Sequence, residues 1–399
     1  MTVRALIKSA EKRVRAGRVQ MLACLRELAV TRTALHLPRN EICTLPSSPP
    51  AGVIVKAVDA AQSFSRRLPR MPGEAGAHWI FLKEQHGILP ETFVAEFARG
   101  RFWGYYGGSV FTEDGQLVPA LSKDVWGETL HSALVRARLP KPQRLPGRTL
   151  SLVTPEATRN YHHWMVDLLP RAGLAVRAGY SLGEFDHVLI KDHALPFQLE
   201  GLRRLGIDES KIIRVTDAMH LQADTLVVPS LHLDNTRVGS ADLLFTRQLF
   251  NPAKPPASRA RRRLYISRRD AAFRHVTNEA ALQPVLKDYG FEEVSMSGLT
   301  VAQQAELFAE ADAVLAPDGA ALANLLFAPP GCKVIELFAP GWVVPYFWMI
   351  CEANNLDYTA IIGAGPRPPE GTLPREIKQD IVLDLDQLRV ALEPLRVTG

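Results

Sequence analysis

The stretch that most constrains the fold is 311–327, ADAVLAPDGAALANLLF. An apolar run is broken by Pro-Asp-Gly, and small residues follow before the apolar character returns. This order predicts a strand, a tight turn and a helix, which together begin a parallel α/β unit. The first turn of that helix carries almost no side chains, so its backbone N–H groups are open to an anion such as phosphate. We therefore predict an anion site at Asp318, Gly319 and Ala320.

Strands and helices alternate through the last third of the chain. Strand-like runs occupy 263–267, 291–295, 313–315 and 333–338, and helical runs occupy 279–289 and 301–310. This alternation predicts a doubly wound parallel sheet, which binds ligands at the carboxyl ends of its strands. We expect a Rossmann-like domain over residues 258–375, closed by a strand and a helix within 376–399.

A second α/β domain is predicted upstream, over residues 76–250. Its strand-like runs lie at 103–111, 149–153, 187–190 and 225–228, with helical runs at 161–178 and 195–205. The segment Asn251–Ala257 holds three prolines in seven residues and is the predicted linker. Because 399 residues exceed one ordinary core, we expect two domains with a ligand cleft between them.

Residues 1–75 are predicted to form an N-terminal helix followed by a linker. Apolar residues recur at helical spacing within 1–35, and lysines and arginines crowd the other side. Such a helix lies on an acidic membrane surface or packs against protein. Gly17 and the absence of a bulky aromatic anchor favour packing.

Charge and cysteine content exclude several classes of protein. The net charge is +5 and no nucleic-acid-binding motif is present, so we expect no nucleic-acid partner. The four cysteines include no C-x-x-C pair, which argues against a metal knuckle. No apolar run reaches the roughly 18 residues that span a bilayer, and no signal peptide is visible. We predict a cytoplasmic protein, or one attached peripherally to the inner face of the membrane, and leave its oligomeric state open.

An arginine-rich segment, RRRLYISRRDAAFRHVTNE, precedes the anion turn. The predicted strand delivers Arg268 and Arg269 at its carboxyl end, Arg274 follows in the loop, and Asn278 opens the next helix. A guanidinium group offers a rigid donor fork that matches phosphate oxygens. For Arg268 and Arg274, diphosphate binding and a solvated basic run are equally supported by the residues alone.

A second polar cluster is NYHHWMVDLLPRAG, residues 160–173. A helix places His163 and Asp167 on one face, because they are four residues apart. They form a base and its orienting partner, or Asp167 acts alone on an acceptor hydroxyl. Alternatively the helix simply buries Trp164 and leaves the histidines at its polar start. We predict no metal here, because a third well-spaced ligand is missing.

Two further polar residues lie in predicted core elements. Glu336 interrupts the apolar strand 333–338. A carboxylate near a strand end accepts both hydroxyls of a ribose, and the alternative is a buried, paired glutamate. Gln304 is a weaker candidate for contact with a base or phosphate.

Taken in series, five blocks of this sequence resemble the family 61 glycosyltransferases. The blocks are NYHHWMVDLLPR, LYISRRDAAFRHVTNE, GFEEV, AELFAEADAVLAPDGAALANLLFAPPG and KVIEL, within a match from about residue 85 to 360. That family includes bacterial capsular-polysaccharide enzymes, plant xylosyl- and arabinosyltransferases and animal N-acetylglucosaminyltransferases. The resemblance implies a GT-B architecture, with two Rossmann-like domains facing a cleft.

The resemblance also implies a reaction. It is inverting transfer from a nucleotide-diphosphate sugar, usually UDP-linked, to a glycan acceptor, without an obligatory metal or other cofactor. The donor lies in the C-terminal domain and the acceptor on the N-terminal one. The motif residues that match are His163, Asp167, Arg171, Arg268, Arg269, Arg274, Asn278, Gly319, Asn324 and Glu336.

One departure from the family pattern is Asp318, because the family usually has a histidine before the glycine. A carboxylate beside a diphosphate repels it unless an arginine or a proton intervenes. Asp318 alternatively caps the helix or binds a sugar hydroxyl. This departure favours a second interpretation, a non-catalytic nucleotide-sugar-binding partner of a polysaccharide assembly complex.

Overall fold

The computed structural model describes residue 17 and residues 19–124, 131–231, 239–250 and 262–396. Residues 1–16 and 18 of the predicted amphipathic helix lie outside these residues, as does the linker Asn251–Ala257. Residues 19–27 and Ala29–Ala34 are helical. Within the described ranges, every helix is too short or too polar to cross a membrane.

The described residues form a mixed α/β fold, as predicted. The strands are β1 (Val53–Asp59), β2 (Gln62–Ser65), β3 (His86–Leu89), β4 (Thr92–Ala98), β5 (Arg101–Trp103), β6 (Ser109–Phe111), β7 (Gln143–Ser151), β8 (His187–Ile190), β9 (Ile212–Arg214), β10 (His220–Pro229), β11 (Arg262–Ile266), β12 (Phe291–Val294), β13 (Ala311–Pro317), β14 (Lys333–Phe338) and β15 (Asp357–Ile362). The longer helices are Leu169–Arg177, Pro196–Arg204, Ser240–Phe250, Glu279–Asp288, Val301–Ala309, Tyr346–Ala353 and Leu385–Leu392. Shorter α-helices are Trp79–Lys83, Ser132–Val135 and Tyr161–His163.

The C-terminal sheet is parallel throughout, in the order β12-β11-β13-β14-β15. The chain leaves β11 for β12 on one side and then crosses to β13 on the other. The carboxyl ends of β11 and β13 therefore flank the topological switch point, where doubly wound sheets bind ligands. The residues after these two strands are the predicted arginines and the Asp318–Gly319 turn.

The first sheet combines parallel and antiparallel pairing. Strands β10, β7, β8 and β9 are adjacent and parallel, which agrees with the predicted α/β unit. Strands β4 and β1 extend this sheet with antiparallel pairing, so it is not doubly wound across its whole width. The run 103–111, predicted as one strand, is instead divided between β5 and β6, which pair antiparallel around a glycine-rich turn.

The two sheets share one apolar core. A single cluster of buried side chains includes Leu150 and Val188 from the first sheet and Leu264, Val314 and Phe338 from the second. Helices contribute to the same cluster, and a second cluster covers the opposite face of the C-terminal sheet. The α/β class is thus confirmed, whereas the GT-B arrangement and the domain boundaries stay predictions.

Polar contacts also join the two halves. Tyr161, from the first half, donates its hydroxyl proton to the Asn324 side-chain oxygen at 2.6 Å. The Glu200 carboxylate accepts the backbone N–H groups of Val301 and Ala302 at 2.7 and 3.0 Å, at the start of the helix Val301–Ala309. A carboxylate at a helix N-terminus satisfies open donors and the helix dipole together, so this contact fixes the helix against the first half.

Candidate active site

Arg268 and Gly319 meet at the switch point of the C-terminal sheet. Arg268 donates from Nε and Nη2 to the carbonyl of Phe273, at 3.3 and 3.1 Å, which holds its guanidinium across the loop. A Cβ atom at Gly319 would lie 2.0 Å from Arg268 Nη1. The two residues predicted to bind phosphate are therefore in direct contact, and glycine is what permits this approach.

Arg274 and Asp318 form a buried ion pair at the same edge. Arg274 Nη1 lies 3.0 Å from Asp318 Oδ2, and the two side chains are 11% and 3% exposed. Burial raises the pKa of the Asp318 carboxyl, and the charges of Arg274 and Arg268 oppose that rise. The sequence analysis required an arginine or a proton to offset the repulsion between Asp318 and a diphosphate, and Arg274 is such an arginine.

Glu336 lies deeper, with no exposed surface. Tyr358 donates its hydroxyl proton to Glu336 Oε2, and Oε1 has no hydrogen-bond partner among the described residues. Burial first, and the neighbouring Asp318 second, raise the pKa of Glu336 well above its usual range. This environment favours the neutral acid. Ribose binding at Glu336 stays a prediction, and it requires the side chain to become accessible.

Two residues predicted to bind the donor are engaged by protein groups. Arg269 is exposed and pairs with Glu279 and Glu293 at 2.6 and 3.2 Å. The Asn278 amide donates to the carbonyl of Leu383 at 2.8 Å and accepts its N–H at 2.9 Å. These contacts give both residues a structural role in holding neighbouring elements.

Gln304 and Asn324 belong to one buried hydrogen-bond chain. Asn324 donates to Gln304 Oε1 at 2.7 Å and accepts the Tyr161 hydroxyl. The segment Ala320–Phe327 that carries Asn324 is a 3₁₀ helix, so the predicted helix exists but is wound more tightly. These hydrogen bonds connect the segment after Gly319 to Tyr161, at the start of the helical segment that carries His163 and Asp167.

His163 and Asp167 lie at the carboxyl edge of the first sheet. Residues Trp164–Leu168 form a π-helical turn, a feature that often marks functional sites. Thr154 donates to Asp167 Oδ2 at 2.6 Å, and His163 Nδ1 lies 4.0 Å from the same oxygen. Asp167 Oδ1 is buried without a hydrogen-bond partner in the described part of the chain. Burial lowers the pKa of His163, and Asp167 partly opposes this effect.

Glu156 is a third member of this cluster that the sequence reasoning missed. One potential ligand atom from each of Glu156, His163 and Asp167 lies within 4.8 Å of the others. The signal that would have found Glu156 is its place just after β7, where the strand end delivers it to the edge. Lys123 Nζ lies 3.0 Å from Glu156 Oε2, and this positive charge opposes a cation there. The cluster is better suited to proton transfer.

The remaining polar residues of this helix have structural contacts. Arg171 is fully buried and donates to the backbone carbonyls of Val153, Ser151 and Pro229, which ties together the ends of β7 and β10. Burial lowers the pKa of His162 to about 3, so this ring is neutral. It packs edge-on against Phe347 of the second half, with ring centroids 5.1 Å apart.

The fold and the two clusters define a class of protein. It is an α/β protein with an arginine-and-glycine site at the switch point of a parallel sheet and an acid–base cluster on a second sheet. Residues 161–335 match the family model described as Glycosyltransferase 61. The resemblance carried by the motif blocks is thus confirmed. No curated protein matches the chain. This match supports glycosyltransferase activity, with a sugar donor and an acceptor as substrates.

Proposed function

We propose that this protein is an inverting glycosyltransferase that uses a nucleotide-diphosphate sugar, with UDP-sugars as the first candidates. The acceptor is a hydroxyl group of a glycan, in bacterial cell-surface polysaccharide synthesis. The observation that carries the donor class is the contact of Arg268 with Gly319 at the switch point of the C-terminal sheet. Scattered free cysteines fit a reducing compartment, so we propose the cytoplasm or the inner membrane face.

In this proposal the C-terminal site stabilises the leaving group. Negative charge grows on the diphosphate as its bond to the anomeric carbon breaks. Arg268 and Arg274 are held in place by protein contacts, and the backbone after Gly319 adds further donors. Fixed groups of this kind stabilise a developing charge without reorganising. This set of donors supports a reaction without metal or other cofactor.

The first-sheet cluster supplies the base. The acceptor oxygen attacks the anomeric carbon, its proton passes to a carboxylate, and the diphosphate leaves from the opposite side. Asp167 is the base we propose, with His163 beside it and Thr154 orienting one oxygen. Glu156 is the other carboxylate of the cluster, and its side chain is 21% exposed against 5% for Asp167. It is therefore the alternative base against which Asp167 is tested.

A second candidate function is nucleotide-sugar binding without catalysis, as a partner subunit in polysaccharide assembly. Asp318 favours this reading, because its carboxylate already neutralises one of the two arginines that would hold a diphosphate. The Glu156–His163–Asp167 cluster favours the enzyme, because it offers a base near the proposed acceptor.

The test combines calorimetry with a turnover assay. The purified protein is titrated with UDP, GDP, CMP and TDP, with and without EDTA, and sugar nucleotides of the binding class are then assayed for release of free nucleotide. Binding of one nucleotide that survives EDTA, followed by turnover, supports the enzyme. Binding without turnover supports the second candidate, and no binding contradicts both.

Two substitutions test the division of roles. We expect Asp167→Asn to abolish turnover with little change in nucleotide affinity, and Arg268→Ala to weaken nucleotide binding by about tenfold or more, because a charged hydrogen bond is lost. Arg269→Ala is the matched control, since Arg269 pairs with Glu279 and Glu293. Equal loss of both properties in the Asp167 and Arg268 variants would contradict the assignment, and full turnover in Asp167→Asn with none in Glu156→Gln would move the base to Glu156.

A further inference from the structure

We propose that Asp318 is a proton-binding counter-ion of the anion site: it neutralises Arg274 before a nucleoside diphosphate binds and takes up one proton when the diphosphate arrives. The inference rests on the proposed function for the identity of the anion. It concerns how the same site is regulated, and it gives a role to the residue that departs from the family pattern.

The first argument is the placement of three ionisable side chains on one face of the C-terminal sheet. Glu336 is the register partner of Ala316, two residues before Asp318, and Tyr358 pairs with Val334, two residues before Glu336. Because side chains alternate along a strand, Asp318, Glu336 and Tyr358 form a diagonal row on a single face. Their exposed fractions are 2%, 0% and 5%.

The second argument is the balance of charge around Asp318. Arg274 and Arg268 face it from the loop after β11, and among the described residues these are the cations that act on its carboxyl. Glu336 and Tyr358 face it from β14 and β15. Burial first, and Glu336 second, raise the pKa of Cys351 in the helix Tyr346–Ala353. With Glu336 and the other two groups neutral, the two arginines face one buried carboxylate, that of Asp318. The carboxylate of Asp270, from the same loop, acts on Arg268 from outside this buried group.

The consequence appears when an anion shares these arginines. A bound diphosphate adds at least two negative charges close to a buried carboxylate, and like charges at short range favour protonation. The proton comes from solvent and binds a carboxyl oxygen of Asp318, which frees Arg274 Nη1 for a phosphate oxygen. Burial already raises the pKa of Asp318, and the negative charge of the bound diphosphate raises it further. By linkage, lower pH then strengthens diphosphate binding.

The experiment is calorimetric titration of UDP into wild type and Asp318→Asn at pH 7.5, in buffers of differing ionisation enthalpy. The dependence of the binding enthalpy on that quantity gives the number of protons taken up. We expect up to one more proton for wild type than for the variant, in which UDP should bind more tightly at pH 8. Lowering the pH by one unit should tighten wild-type binding by up to about tenfold more than variant binding. The protonation of UDP itself cancels in this comparison.

The matched control is Glu293→Gln, which removes an exposed carboxylate that pairs with Arg269. Equal proton uptake by wild type and Asp318→Asn overturns the inference while leaving the proposed function intact. Absence of UDP binding to wild type, with no other nucleotide bound, overturns both. An infrared difference spectrum of wild type needs no variant: a new protonated-carboxyl band on UDP addition supports the inference, and no new band contradicts it.

Discussion

At the scale of single residues, Gly319 serves the anion site through a close contact rather than through an unusual backbone conformation. Gly319 has φ 176°, an extended conformation that any residue adopts. Glycine is required because the Arg268 guanidinium occupies the space where a side chain would begin. Arg274 differs, since its φ of 63° is rare for a non-glycine residue and occurs often at ligand sites.

The contact at Gly319 leads to the prediction that Gly319→Ala weakens nucleotide binding by about tenfold or more, because the new methyl group displaces Arg268. The measurement is calorimetric titration with the nucleotide that wild type binds. Gly76→Ala is the control, because a Cβ atom at Gly76 would have no atom of the described residues within 4 Å. Unchanged affinity in Gly319→Ala would show that Arg268 does not bind the anion.

At the scale of elements, short connections hold the site's loops in place. The C-terminal segment returns beside the arginine loop, where Ile381 forms a bridge with Val276 and Asn278 holds both backbone groups of Leu383. In the first half, the π-helical turn Trp164–Leu168 carries Asp167 to Thr154. Side chains whose hydrogen bonds are made to the protein, such as that of Asn278, stabilise the fold and are not available to a ligand.

Asn278 separates these two roles experimentally. We predict that Asn278→Ala lowers the free energy of unfolding by about 1–3 kcal/mol, because two backbone groups lose their partners, and leaves nucleotide affinity unchanged. Urea unfolding and calorimetry measure the two quantities. The opposite pattern, with weaker nucleotide binding and unchanged stability, would support the sequence prediction that Asn278 binds the donor.

At the scale of the whole molecule, the shared core couples the two sheets. Phe81, from the helix Trp79–Lys83, packs on Trp348 and Phe338 of the second half, with ring centroids 5.3 and 6.4 Å apart. Residues early in the chain thus complete the core beside the C-terminal sheet. Elements that share one core are expected to unfold together.

We therefore predict one cooperative thermal transition for the described fold. Phe81→Ala should lower the free energy of unfolding by about 3–5 kcal/mol. The midpoint temperature should fall accordingly, and the transition should remain a single one. Leu82→Ala is the neighbouring control, since Leu82 is 49% exposed. Two calorimetric transitions in wild type, or a Phe81→Ala effect confined to one of them, would favour two independent domains.

The sequence alone located the elements that local patterns encode. Strands β8 and β14 have the predicted bounds, and β11 and β12 differ from prediction by a single residue at their ends. Strand β15 and the helix Tyr346–Ala353 were not predicted from the sequence. The order of motifs also predicted the resemblance to the family 61 glycosyltransferases, which the match over residues 161–335 confirms.

Only the tertiary structure decided which polar residues meet. Arg268 lies against Gly319 whereas its neighbour Arg269 pairs with two glutamates, and Glu156 joins His163. Periodicity along a chain reports burial and element type, but not the strand order that brings distant loops to one sheet edge. The site is made at that edge, so its residue types were readable in the sequence and its partnerships were not.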